Sequence, residues 1–131
     1  MEILQPPGWK RPKGYSNGVA ASGRMVFVAG QIGWNADEEI DSDDFADQFR
    51  QALANIVAVL AEAGAGPQHI VRMTMYFTDK RDYLDRLAEV GAAYRETIGR
   101  NYPAMAAVEV GALMEDRAKV EIEATAVVPE G

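Results

Sequence analysis

The chain has 131 residues, 48% of them hydrophobic and 25% charged, with a formal net charge of −7. That length and balance describe one soluble domain with a real core, and exclude a general nucleic-acid binder, because phosphate contacts need clustered Lys and Arg. With no cysteine and a single histidine, His69, the chain has no disulfide or thiolate chemistry, and a His-based zinc site or a Ser-His-Asp triad is disfavoured.

Residues 1–14 carry three of the six prolines, so an extended lead-in is expected. Lys10, Arg11 and Lys13 fall in it as a solvated, loosely ordered arm. The start, Met1 to Pro7, lacks the basic and apolar regions of a signal peptide. No apolar run in the chain approaches the roughly 18 residues that suggest a membrane span. A cytoplasmic protein without a membrane partner is the default expectation.

Tyr15 to Ala21 reads as a short strand. Met25 to Ala29 is a continuous apolar run of strand length ended by Gly30. The turn signal Ser22-Gly23 between them predicts that the two pair. Asn35 to Asp41 is an acidic loop. Ser42 is the expected cap of a first helix, with Asp43 and Asp44 in its first turn, where carboxylates complement the helix dipole. Phe45, Phe49, Leu53, Ile56 and Leu60 recur at helical spacing, and Gly64, Gly66 and Pro67 stop the helix.

His69 to Thr78 alternates, with Val71, Met73, Met75 and Phe77 opposed to Arg72, Thr74, Tyr76 and Thr78. This is a strand covered on one side. Asp79 caps a second helix whose stripe is Tyr83, Leu87, Val90, Tyr94 and Ile98, ended by Gly99.

Two late strands follow. In Pro103 to Val110, Ala104, Ala106, Val108 and Val110 point one way and Met105, Ala107 and Glu109 the other. In Lys119 to Ala126, Val120, Ile122, Ala124 and Ala126 form one face and Lys119, Glu121, Glu123 and Thr125 the opposite one. Carboxylates on one side of a strand need water, a partner or a task.

The order predicts one domain over residues 1–131. Its class is α+β, a mixed sheet of four or five strands with two helices on one face. The uncovered face carries Glu121, Glu123, Thr125 and some of Arg72, Thr74 and Tyr76, with apolar area from Met105, Tyr76 and Val26 or its neighbours. Such a face suggests an oligomer interface with partly wet pockets.

Several motifs, in this order along the chain, resemble the RidA/YjgF family of reactive-intermediate deaminases, whose older label is endoribonuclease L-PSP. They are Tyr15-Ser16, Met25 to Ile32, Gln51 to Ile56, Ile70 to Asp79, Tyr94, Pro103-Ala104, Val108 to Val110 and Val120 to Ala124. The resemblance implies a chorismate-mutase-like fold. It also implies a homotrimer whose sheets form a central barrel, with small-molecule pockets in the clefts between subunits. The implied activity is hydrolysis of an imine or enamine to a carbonyl compound and ammonia, with no metal and no cofactor. In it a Glu orients the attacking water and an Arg grips the substrate carboxylate. Glu121 stands where that Glu does. Met105 stands where the Arg does, and Met cannot make a bidentate ion pair. Gly91 replaces a helical Asn, and Ala29 a Ser.

The catalytic candidate is therefore Glu121, with Tyr15, Gly30, Gln31, Met105 and Ala106 as substrate-binding candidates. Each has a plainer alternative. Glu121 is either a water-positioning base or a plain carboxylate, solvated or paired with Arg72 or Lys119. Tyr15 closes a pocket or anchors a strand. Met105 contacts a ligand or fills a gap. Trp34 and Tyr102 flank the cleft or pack loops. His69 is expected at the surface, and Arg72 is the strand cation that could replace the missing Arg. The rival function is a trimer that binds a small metabolite without converting it. RNA cleavage follows from the older label alone and is opposed by the acidic balance.

Overall fold

The computed structural model describes residues 1–130; the last residue of the polar tail, Gly131, lies outside them. The strands are β1 (Glu2–Leu4), β2 (Gly18–Ala20), β3 (Arg24–Ile32), β4 (Ile70–Phe77), β5 (Ala104–Glu109) and β6 (Val120–Val128). The helices are α1 (Phe45–Glu62), α2 (Lys80–Leu84) and α3 (Leu87–Thr97). A four-stranded mixed sheet runs β3-β6-β4-β5, antiparallel except for the parallel β4–β5 pair.

The lead-in opens with a strand, and Lys10, Arg11 and Lys13 beyond it are exposed and outside any helix or strand. Glu2, Ile3 and Leu4 pair antiparallel with Ala20, Val19 and Gly18. The expected pairing across Ser22-Gly23 is therefore replaced. β2 pairs with β1, and β3 takes β6 as its neighbour, from Arg24 opposite Val128 to Ile32 opposite Glu121. β3 gains more from lying beside the apolar alternation of β6 than from closing a hairpin on the three-residue β2.

α1 is amphipathic as its spacing requires. Phe45, Phe49, Leu53, Ile56 and Leu60 are all at or below 1% exposure. Their burial is worth roughly 10 kcal/mol in transfer free energy before entropy is set against it. Phe45, Phe49, Phe77 and Tyr83 form one aromatic group with ring centroids 4.9–6.3 Å apart. The cap is Asp44 rather than Ser42. Asp44 Oδ2 accepts the amide of Asp47, and the Ser42 hydroxyl accepts the amide of Asp44 and donates to Asp47.

The second predicted helix is broken in two at Asp85–Arg86. Arg86 leaves helical geometry and its guanidinium bridges Asp44, at 3.0 Å, and Glu89, at 2.6 Å. The break turns Tyr83 into the aromatic group and leaves Leu87 55% exposed, although Leu87 falls on the predicted stripe.

Val120, Ile122, Ala124 and Ala126 of β6 and Met73, Met75 and Phe77 of β4 face the helices and are buried. Glu121, Glu123, Thr125, Arg72, Thr74 and Tyr76 therefore share the open face. Met25 and Phe27 of β3 join them, 56% and 70% exposed, whereas Val26 packs on the core. Met105 is a correction to the sequence reading. It lies opposite Met73 in the parallel β4–β5 pair and packs against the helix-side core, so it adds nothing to the open face. The small residues Ala104 and Ala106 take that face instead, opposite Arg72 and Thr74.

Candidate functional site

The candidate residues fall into two groups on opposite faces of the sheet. The first is built on the β3–β6 pair. A β-bulge between Val28 and Gln31 shifts the register beside β6. It brings Gly30 against the side chain of Glu121, so closely that a Cβ on residue 30 would sit 2.8 Å from Glu121 Cδ and Oε2. Only glycine allows that approach. Gln31 is half-buried beside it, and its Nε2 donates to the carbonyl of Ala29 at 3.2 Å. Neither expected ion pair of Glu121 forms: among the described residues it has no cation partner, and neither Arg72 nor Lys119 engages it. The Glu121 carboxyl thus lies close beside the Gly30 backbone, half-buried and without an ion pair among the described residues.

Its neighbour Glu123 is engaged. The Tyr76 hydroxyl donates to Glu123 Oε1 at 2.8 Å, and that bond raises the phenol above its usual titration range. Arg72 borders a shallow recess of 140 Å³ with Thr74, Glu123 and Thr125 on this face. It is on the wrong side of the sheet to enter the Met105 pocket.

The second group surrounds a 360 Å³ pocket between β5 and α3, lined by Met105, Met75, Tyr83, Tyr94, Gly91 and Tyr102 among others. Tyr94 and Tyr102 stack with centroids 5.7 Å apart and planes 8° from parallel. Burial pushes the Tyr94 hydroxyl up, with the neighbouring Tyr102 adding to the effect. The hydroxyl donates to the carbonyl of Asn101, which fixes the turn into β5. Ser16 is buried, its amide donates to Pro103 O at 3.0 Å, and its hydroxyl donates to Tyr102 O. These bonds seat the Gly14–Ser16 segment at the lip of the pocket.

Tyr15 itself points elsewhere. It lines an adjoining hollow of 670 Å³ with Trp9, Arg11, Arg100 and Tyr102, and is 42% exposed. Trp34 lines neither of these pockets and borders a separate recess with Ile40 and Met114. His69 Nδ1 accepts the amide of Gly66 at 3.0 Å and holds a turn. Among the described residues no group of three His, Cys, Asp or Glu could hold a metal ion, and no helix is long and apolar enough to cross a membrane.

Sequence reasoning missed Arg95 and Lys13 at the rim of the Met105 pocket. The signal was present for Arg95, which lies four residues after Gly91 and hence over it on a helix.

The family profile described as Endoribonuclease L-PSP matches residues 9–128. The chain belongs to this family, the RidA/YjgF group. A RutC family protein of Pyrococcus horikoshii is 37% identical over 127 residues, covering 95% of this chain and 96% of that one. TdcF of Escherichia coli, named as a candidate reactive intermediate deaminase, is 34% identical over 130 residues, covering 97% and 95%. Among solved structures, the Rid family protein YyfB of Yersinia pestis superposes with a TM-score of 0.83 at 34% identity, covering 97% of this chain and 98% of its own. Escherichia coli TdcF with bound serine superposes at 0.68 with 33% identity, covering 98% and 99%. The RidA-like chain thus has the family's α+β fold, and reactive-intermediate deamination is the activity that this kinship supports in general terms.

Proposed function

We propose that this protein hydrolyses a reactive imine or enamine to a carbonyl compound and ammonia, in a cleft formed where copies of the chain meet. The observation that carries this is the Gly30–Glu121 contact. It places a half-buried carboxylate with no cation partner among the described residues beside a strand backbone, where it binds and deprotonates a water. The water oxygen bonds to the imine carbon, and the C=N electron pair moves to nitrogen, which takes up a proton. The resulting carbinolamine expels ammonia as its C=O bond forms. Glu121 accepts one proton of the attacking water and passes it to the imine nitrogen, then takes the carbinolamine hydroxyl proton and delivers it to the amine as ammonia leaves; an enamine enters this sequence as its imine tautomer.

A trimer completes the site. Glu121 and Met105 lie on opposite faces of one sheet, so a ligand that touches both must lie between chains. The exposed Met25, Phe27 and Val108 on the open face supply apolar area for such a contact. Gly30, Gln31 and the backbone at Ala106 would border the polar end of the cleft and Met105 its apolar end, with Tyr15 in the hollow that adjoins it. The serine bound by TdcF is a precedent for a small amino-acid-like ligand.

The test couples purified protein to keto-acid detection with 2-aminoacrylate and larger imines generated in place. Turnover above background that disappears in Glu121→Gln supports the reading. The Met in place of Arg favours a second reading, a trimer that binds a metabolite unchanged. Tight binding in calorimetry with the ligand recovered intact would favour it, and a monomer at working concentration would remove both.

A further inference from the structure

We infer that Arg95 takes over carboxylate recognition in the Met105 pocket, so that the ligand is a small imino or oxo acid with an apolar or aromatic side chain. This rests on the cleft being the ligand site, and not on catalysis there. The position after Pro103-Ala104 holds a thioether, so the β5 strand offers no cation. The helix across the pocket does. Arg95 lies one turn beyond Gly91, and a Cβ at residue 91 would meet its Nη1 at 3.1 Å. The missing side chain at Gly91 leaves a notch, and the guanidinium lies over it at the pocket wall.

Three further observations point the same way. The pocket lining holds two cations, Arg95 and Lys13, and no Asp or Glu, in a chain of net charge −7. Arg95 has no ion-pair partner among the described residues, and the nearby acids are committed elsewhere: Glu96 to Arg50 at 2.8 Å, and Asp44 and Glu89 to Arg86. The remaining wall is aromatic and thioether, from Tyr83, Tyr94, Tyr102, Met75 and Met105. A planar fork of donors beside such a wall matches a carboxylate carried on an apolar body. The volume of 360 Å³ suits a molecule of that size. The guanidinium has thus moved from strand to helix, and Met105 has become part of the surface that meets the side chain of the ligand.

The experiment is calorimetry of the full chain with phenylpyruvate, 2-oxobutyrate and, as a neutral comparison, the methyl ester of phenylpyruvate. Arg95→Gln should weaken binding of the acids by about 10- to 100-fold, the range for a charge-assisted bidentate contact, and that of the ester by less than about twofold. Arg95 is exposed, so the variant keeps the fold. Adding Met105→Arg to Arg95→Gln should restore acid binding. Equal losses for acid and ester, an acid affinity unchanged in Arg95→Gln, or no acid binding by the wild type would each overturn the proposal. The catalytic reading fails separately. Arg95-dependent binding without turnover leaves this inference standing and removes the hydrolase. Turnover that needs Glu121 but ignores Arg95 does the reverse.

Discussion

The carboxamide oxygen of Gln48 accepts the backbone amide of Lys119 at 2.8 Å, tying the first turns of α1 to the start of β6. The same side chain, 1% exposed, donates through Nε2 to the carbonyls of Ser42 and Arg117 at 2.9 and 3.1 Å. One buried amide therefore satisfies three backbone groups and fixes Lys119, the residue before β6 begins and two before Glu121. Gln48→Leu strands those groups in a dry site. It should destabilise the fold by about 3 kcal/mol, since each buried unpaired group costs about 1–3 kcal/mol. Urea unfolding should show this as a lower midpoint with an unchanged slope. A midpoint within error of the wild type would show that water replaces the bonds.

Gly30→Ala places a methyl group 2.8 Å from the Glu121 carboxyl. The carboxylate must swing away or the bulge must open. Because Gly30 is exposed and the close atoms are the end of a flexible side chain, the stability loss should be small, below about 1 kcal/mol, and the main effect is displacement of the carboxylate. Under the proposed mechanism, turnover falls as far as in Glu121→Gln. An active Gly30→Ala protein would mean that Glu121 does not act from this position.

Asp44 caps α1 and pairs with Arg86, whose guanidinium holds its carboxyl below the usual carboxylate range. Because the folded state prefers the ionised form, the contribution is full above the unfolded carboxylate value of about 3.9 and is lost as pH falls through the lower folded value. Asp44→Ala should cost about 1 kcal/mol at neutral pH, chiefly as a lost cap, and the gap from wild type should close in acid. Thermal melts at pH 7 and near pH 3 measure it.

Tyr94 titrates in the opposite sense. Burial raises its phenol, so the neutral form favours folding. That contribution is whole below the unfolded phenol value of about 10 and drains away as pH climbs through the folded value. In an alkaline ultraviolet titration of the five tyrosines, Tyr94 should ionise last, together with loss of structure. Tyr94→Phe should remove one late-titrating phenol and leave the early ones unchanged.

The elements legible in the sequence were those whose faces differ sharply. The Phe45-to-Leu60 stripe, the alternation of Ile70 to Phe77 and that of β6 each state which side is buried, and the structure agrees. What stayed hidden was non-local. The choice of β6 over β2 as the neighbour of β3 depends on a partner about a hundred residues away, which no turn signal encodes. Gln48 sits next to Phe49 in an apolar stripe and reads as solvent-facing until the Arg117–Lys119 backbone is folded onto it. The break at Arg86 sits where one guanidinium reaches both the α1 cap Asp44 and Glu89, a pairing that spacing alone cannot show. The alternation of β5 separated Met105 from Ala104 and Ala106. Which of those two sides is roofed by helices is decided by β4, through the Met73–Met105 pairing.

The placement of Glu121 and Arg95 on opposite sides of one sheet has a genetic consequence. If ligand and water are drawn from different chains, a lesion in either residue impairs every site of a uniform assembly, Glu121→Gln in turnover and Arg95→Gln in ligand affinity. Refolding Glu121→Gln together with Arg95→Gln would then generate mixed assemblies in which some junctions join an intact carboxylate to an intact guanidinium. At low ligand concentration, two impaired proteins would regain activity on mixing, in proportion to the junctions that escape both lesions.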